Sequence, residues 1–343
     1  MTFGNNLPLL SGSVPPATKP LILRRFSKLL CFSTLFLIFA GGLVTSTGSG
    51  LAVPDWPLSY GSLFPPMVGG VFYEHGHRMI AATVGFLTLI FTVLVAVWEQ
   101  KQWVKWLAWS ALAAVILQGV LGGITVLLFL PDLVSVAHGV LAQTFFILTI
   151  ILAYSQSLER TQREVINPSA SSKNMLKFLL LFAGLIYCQL IVGAVMRHTA
   201  SGLAIPDFPM MGGRWLPTFD SSMLTDINEK RFLMNLDPVV MGQVVIHFVH
   251  RLGACLILIL GVILNRLVFM HCARERQITS LFYLLDFLVV LQIALGAMVI
   301  LTAKNPYLTT LHVAIGAAIL GLSVLILLRA VPLTLSETRK ALA

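Results

Sequence analysis

The sequence predicts an all-α polytopic membrane protein of eight transmembrane helices, arranged as two repeated four-helix bundles. Three observations predict it. Of 343 residues, 57% are hydrophobic and only 11% charged, whereas soluble domains average about 25% charged residues, and the mean hydropathy is +0.89. The apolar residues fall into eight runs, each near the ~20 residues that cross a bilayer. Finally, motifs in the first half return in the second.

The runs cover 29–46, 76–97, 106–130, 134–154, 176–196, 244–268, 279–302 and 308–330. The first is too long for the apolar core of a signal peptide and lacks an A-x-A site, so it is read as a span. A formal net charge of +9 would suit a nucleic-acid partner if it were clustered. Here the charges sit in short segments between apolar runs, as membrane orientation requires. One set of segments holds Lys19, Arg24, Arg25 and Lys28; Lys101 and Lys105; Arg160, Arg163, Lys173 and Lys177; Arg266, Arg274 and Arg276; and Arg329, Arg339 and Lys340. The expectation is that this side, with both termini, is cytoplasmic. Trp98, Trp103, Trp106 and Trp109 gather at the same side, as interfacial tryptophans do. The expected organisation is a cytoplasmic tail at 1–25, a four-helix half at 26–158, a cytoplasmic linker at 159–175, a second half at 176–330 and a tail at 331–343. Cys31, Cys188 and Cys255 lie in apolar runs and read as small core residues; with Cys272 they form no metal-ligand spacing.

The repeat is visible in TGSGLAVPDWP from Thr47 and TASGLAIPDFP from Thr199, offset by 152 residues. His77-Arg78 returns as His250-Arg251 at an offset of 173, and His138 as His312 at 174. The first outer loop of the second half therefore carries about 21 extra residues, within Arg214–Gly242. Each unit has an even number of spans, so the copies share one orientation, related by an axis along the membrane normal.

His77, His138, His250 and His312 open even-numbered spans and so lie at similar depth in the outer half of the membrane. A single intramembrane histidine is often only an interhelical hydrogen-bond partner. Four at duplicated positions point to two pairs of axial imidazoles, as a six-coordinate heme requires. A zinc or copper site ranks lower, because the second half offers no carboxylate or thiolate as a third ligand. Arg78 and Arg251 are interfacial cations or partners of heme propionates. Gly122, Gly123, Gly139, Gly193, Gly296 and Gly316 allow close helix packing or room for a macrocycle.

The halves differ at one informative place. Aligning the histidines sets Glu74 opposite His247, each one helical turn before its ligand candidate. A carboxylate there is a candidate for proton transfer, or a solvated acid favoured at a helix start. His247 is a propionate contact or a spare ligand; His75 faces elsewhere and reads as incidental, and His198 and His271 as interfacial. The Pro54–Pro57 and Pro206–Pro209 segments are stiff turns, whose central aromatic is a lid over a heme edge or an interfacial anchor.

At these residues the chain resembles the heme A synthase family. The features are TGSGLAVPDWP, E-x-x-H-R at Glu74–Arg78, A-H-G at His138, H-x-x-H-R at His247–Arg251 and L-H-x-x-x-G at His312. The resemblance spans all eight runs. It implies an enzyme that oxidises the C8 methyl group of heme O to a formyl group, giving heme A for terminal oxidases. It implies a heme b cofactor on His250 and His312, substrate heme O on His77 and His138, and Glu74 as the important acid. Some members carry a cysteine pair in an outer loop. Here 47–73 and 197–243 contain no cysteine, so the resemblance is to the cysteine-free bacterial type. The implied partners are heme O, membrane lipid, a heme O synthase and an electron donor, in a bacterial plasma membrane. The rival functions are a non-enzymatic di-heme electron carrier of cytochrome b type and a transporter built on a parallel repeat.

Overall fold

The computed structural model describes residues 20–162, 170–272 and 276–330, with the side chains of 161–162, 170–174, 271–272 and 276–278 excepted. The expectations for Lys19, Arg163, Arg274, Arg339 and Lys340, most of the tails, and the side chains of Lys173, His271, Cys272 and Arg276 lie outside the described residues.

Long helices are α1 (Leu21–Ser46), α2 (Gly70–Trp98), α3 (Gln102–Leu127), α4 (Asp132–Ser155), α6 (Ala170–His198), α8 (Met241–Cys272), α9 (Arg276–Leu301) and α10 (Pro306–Ala330). Each holds a stretch long and apolar enough to cross a membrane, so the chain is a multi-pass membrane protein. Two short helices, α5 (Leu158–Gln162) and α7 (Ser221–Leu233), lie between spans.

Local chemistry sets the boundaries. Pro131 precedes α4 and Pro306 opens α10, where a missing N–H costs nothing. The α3–α4 turn carries positive φ at Phe129 and Leu130, and the α9–α10 turn at Ala303 and Lys304. In these turns Leu130 N–H donates to Thr125 O and Lys304 N–H to Val299 O, both at 2.7 Å. The same connector thus recurs at an offset of 174 residues.

α1, α4, α6 and α10 meet at the centre. Ile38, Phe146 and Ile150 share one buried cluster with Leu179, Phe182, Leu320 and Val324. Lipid is as apolar as these side chains, so close packing rather than escape from water holds such helices together. A Cβ on Gly321 of α10 would fall 2.9 Å from Phe146 and Ile150 of α4. Polar ties reinforce the seam: Thr144 and Tyr187 hydroxyls lie 2.7 Å apart, Arg197 donates to Gly42 O at 2.7 Å, and Arg329 at the end of α10 meets Glu159 of α5 at 2.7 Å. At the periphery, the Asn265 amide donates to Asp286 at 2.7 Å, joining α8 to α9.

The 21 extra residues build α7, a helix the apolar runs do not announce. The Asp220 side chain caps it by accepting from Met223 N–H at 2.8 Å. Met223 and Ile227 pack under it against Ile205, Val239 and Val244. Cys188 and Cys255 are exposed on the bundle surface and are not the core residues expected, because their helices turn these positions outward; Cys31 is half-buried and packs against the central core.

Candidate functional site

Two outer loops, built alike, sit over the even-numbered spans. In the first, the Asp55 carboxylate accepts from Tyr60 N–H at 2.7 Å and Gly61 N–H at 2.8 Å. In the second, Asp207 accepts from Gly212 N–H at 2.8 Å and Gly213 N–H at 2.6 Å. The N–H groups of Gly61 and Tyr60 hold the Asp55 carboxyl below its ordinary range. Burial pushes Asp207 the other way, but the N–H groups of Gly213 and Gly212, with Lys230, keep it lowered too. The glycines serve the turn directly, since Gly61, Gly212 and Gly213 have φ of +68, +67 and +80°.

Each loop is stapled to the helix below. Arg78 donates to the carbonyls of Asp55, Leu58 and Val53 at 2.7, 2.8 and 3.1 Å. Arg251 donates to those of Asp207, Met210 and Ile205 at 2.8, 3.0 and 3.1 Å. Both guanidinium groups hold loop backbone. The paired loop position above them also has an N–H to satisfy. Val53 N–H donates to Glu74 Oε2 at 2.8 Å, and Ile205 N–H to His247 Nδ1 at 3.1 Å.

The Glu74–His247 contrast therefore has a structural meaning. Glu74 is 3% exposed; it is not a solvated acid at a helix start, because α2 begins at Gly70 and the first loop folds down onto it. Its second oxygen accepts from Arg78 at 2.6 Å. A carboxylate accepts both bonds at once, whereas a neutral imidazole has one acceptor nitrogen. His247 also faces Arg251 Nε, at 3.3 Å from its Nε2. Both neighbours are donors, so a neutral His247 accepts from one of them at a time. His75 is not incidental: it is buried, with Nδ1 2.8 Å from Ser59 Oγ. The corresponding Phe248 instead packs edge-on against Phe219, with centroids 5.2 Å apart.

Below the loops stand the four histidines. The His250 and His312 ring centroids are 6.4 Å apart. A metal–imidazole bond is about 2 Å long and a ring centroid lies about 1 Å behind its nitrogen, so two axial imidazoles hold their centroids about 6 Å apart. The spacing fits a heme iron. His77 and His138 are within electrostatic reach of each other. Nδ1 of His77, His138 and His312 is buried without a partner in the protein, an expensive state for structural histidines.

Each ring is seated against a glycine. A Cβ on Gly41 would lie 3.0 Å from His77 Cε1, and one on Gly193 3.3 Å from His250 Cε1. Gly122 and Gly296 stand likewise at 3.3 and 3.1 Å from His138 and His312. These glycines make room for imidazoles as well as for helix contact. Gly41 escaped the sequence reading, although it lies 152 residues before Gly193. Gly139 and Gly316 do pack helix on helix, against Ala194 and against Leu190 and Gln292. Trp56 lies flat on α3, 2.6 Å from where a Cβ on Gly123 would be. Its neighbour Gly122 seats His138. Phe208 is placed differently, 5.8 Å from the Arg251 guanidinium. Among the described residues no His, Cys, Asp and Glu cluster forms a bare metal-ion site.

The chain is similar to known proteins. The family described as cytochrome oxidase assembly protein, COX15-CtaA, matches residues 67–324. A protein named heme A synthase from Halalkalibacterium halodurans is 26% identical over 302 residues, covering 84% of this chain and 91% of that protein. One of the same name from Geobacillus kaustophilus is 27% identical over 318 residues, covering 89% and 91%. A third, from Bacillus licheniformis, is 32% identical over 195 residues, covering 53% of this chain and 62% of that protein.

Proposed function

The chain belongs to the cytochrome oxidase assembly family COX15-CtaA, and we propose that it does what its relatives are named for. It is a heme A synthase, a membrane enzyme of heme A biosynthesis that acts on heme O. Our finer reading is that it oxidises the C8 methyl group of heme O to a formyl group, with substrate on His77 and His138 and a resident heme b on His250 and His312. The observation that carries the reading is the two histidine pairs, each ring against a glycine, with one pair 6.4 Å apart.

When bound, heme b supplies one-electron transfer, since bis-histidine ligation leaves no open position at iron. The chain's own residues do the rest. His77 and His138 orient the substrate, so that a reacting methyl stands at the macrocycle rim. Gly41 and Gly122 fix the planes of those two rings. Glu74, one turn before His77, is a buried carboxylate suited to accept a proton released by the methyl carbon. Val53 N–H and Arg78 hold both its oxygens in place. Two features support giving the halves different roles: the acid stands only in the first, and α7 only in the second.

We also propose that the N- and C-terminal ends of the described chain are cytoplasmic, in a bacterial plasma membrane. Arg24, Arg25, Lys28, Lys101, Lys105, Arg160, Arg266 and Arg329 support this, since all fall at the same ends of the spans. The test of function is pigment extraction from cells that make heme O, with and without this protein. Heme A is expected only with it; heme O alone in both would sink the proposal. The di-heme carrier predicts an unchanged pigment pool.

A further inference from the structure

The surroundings of His77 and His250 also differ at the ring nitrogen. Gln189, on α6, has its amide Nε2 3.1 Å from His250 Nδ1, and it donates to the His250 carbonyl at 2.7 Å. The amide fits because residue 253 is glycine: a Cβ there would lie 2.0 Å from Gln189 Oε1. The repeat offsets of 152 and 173 set Leu37 opposite Gln189 and Ile80 opposite Gly253. Leu37 has no amide to offer, and Nδ1 of His77 is buried with no partner. One half therefore holds an amide and the gap that admits it. The other holds two aliphatic side chains.

An imidazole that binds iron through Nε2 carries its proton on Nδ1. An acceptor for that proton fixes the ring, sets the tautomer and raises the basicity of the ligand. With Nε2 towards the ring, the Gln189 amide donates to Nδ1 and favours the opposite tautomer. A half-turn about its last bond presents Oε1 and supplies the acceptor. The His250 carbonyl favours the first orientation; iron on Nε2 favours the second. Leucine does neither, so His77 binds iron with no such support.

We infer that Gln189 is the positioning residue that makes His250 a tightly held axial ligand, and that Leu37 and Ile80 leave His77 a ligand that releases its heme. The inference rests on the proposed assignment of resident cofactor to the second half and turnover substrate to the first. It gives that assignment a chemical cause: a product must leave, a cofactor must stay.

The test uses the full-length protein purified with its heme. Heme loss to excess apomyoglobin, the midpoint potential and the low-temperature electron paramagnetic resonance spectrum are read together. Gln189→Leu is expected to speed loss of heme b about 10- to 100-fold, the usual cost of removing such a partner. It should also raise the potential, because a less basic ligand favours ferrous iron. Gln189→Glu keeps an acceptor and should hold heme b while lowering the potential. The double variant Leu37→Gln with Ile80→Gly should slow release from the first half. Unchanged loss rate, potential and spectrum in Gln189→Leu would overturn the inference; if that variant does not fold, an unchanged potential in Gln189→Glu does so. Failure of the underlying assignment looks different: His312→Ala would then keep an unaltered low-spin heme b.

Discussion

The two loops share a staple and differ by one inserted helix. In the first, Leu63 and Phe64 stand 65 and 82% exposed, and their counterparts Trp215 and Leu216 in the second are exposed alike, at 71 and 81%. Only the second goes on into α7, which Arg231 anchors by donating to Leu203 O at 2.6 Å and Asp237 O at 2.8 Å. Lys230 adds an ion pair to Asp207 at 3.3 Å. Below, Glu74 faces His247, and Leu37 faces Gln189. The second half has an added helix and an amide beside His250, while the first keeps a carboxylate. On the proposed function, these few side chains make one site for keeping heme and one for exchanging it.

The sharpest way to break this comparison is to remove one ligand from each half. His312→Ala should lose heme b altogether, whereas His77→Ala should keep a full complement of heme b yet make no heme A; pigment analysis of the two purified variants reads this. Equal heme loss from both would make the halves equivalent.

The next largest effect falls on the acid. Glu74→Gln should lower heme A formation about 10²-fold or more while the heme b spectrum stays intact, the usual scale for losing a group that transfers a proton. His247→Glu, which gives the second half the residue of the first, should leave heme A formation within a few-fold of the parent. A Glu74→Gln protein with full activity would reduce Glu74 to a loop staple.

Smaller effects test the loops. Met223 is fully buried beneath α7, so Met223→Ala should destabilise the second loop by about 2–5 kcal/mol, whereas Leu63→Ala should cost close to nothing. Limited proteolysis of the two loops, in the same preparation, measures the contrast. Gly123→Ala pushes a methyl into the Trp56 ring and should cost about 1–3 kcal/mol, seen as faster cleavage of the first loop only.

The smallest effect is on pH dependence. Asp55 and Asp207 have folded pKa values below their unfolded ones. Their contribution is therefore fully present above about pH 4, the unfolded aspartate value, and is lost as pH falls through the folded values. Amide exchange at Gly61 and Gly212 should be flat from pH 5 upward, once corrected for intrinsic rates, and lose protection below pH 4 in both loops alike.

Most of the fold was legible because lipid imposes a length and a composition on every span. The four histidines were legible because an imidazole within a span is rare and was repeated. What stayed hidden was carried by backbone. Arg78 and Arg251 read as propionate partners or snorkelling cations; that they also bind loop carbonyls leaves no mark in a sequence. His75 was missed for a like reason: its partner, Ser59, lies 16 residues away on a loop. α7 was missed because it is short and polar. Its signals were there, in the Asp220 cap, the Met223 and Ile227 spacing and the basic Lys230-Arg231 end. Gln189 gave no signal by itself; only comparison with Leu37, once the neighbouring ring was placed, gave it meaning.

The contact of Trp56 with Gly123 has an optical consequence. Of the six tryptophans, Trp98, Trp103, Trp106 and Trp109 flank the connection between α2 and α3, and Trp215 belongs to the second of the paired loops. Trp56 packs on Gly123, next to the glycine that seats His138. Porphyrins absorb where indole emits, so a heme held by His138 would quench the fluorescence of Trp56. A chain keeping Trp56, with the other five replaced by phenylalanine, would report arrival and departure of substrate as light, one turnover at a time.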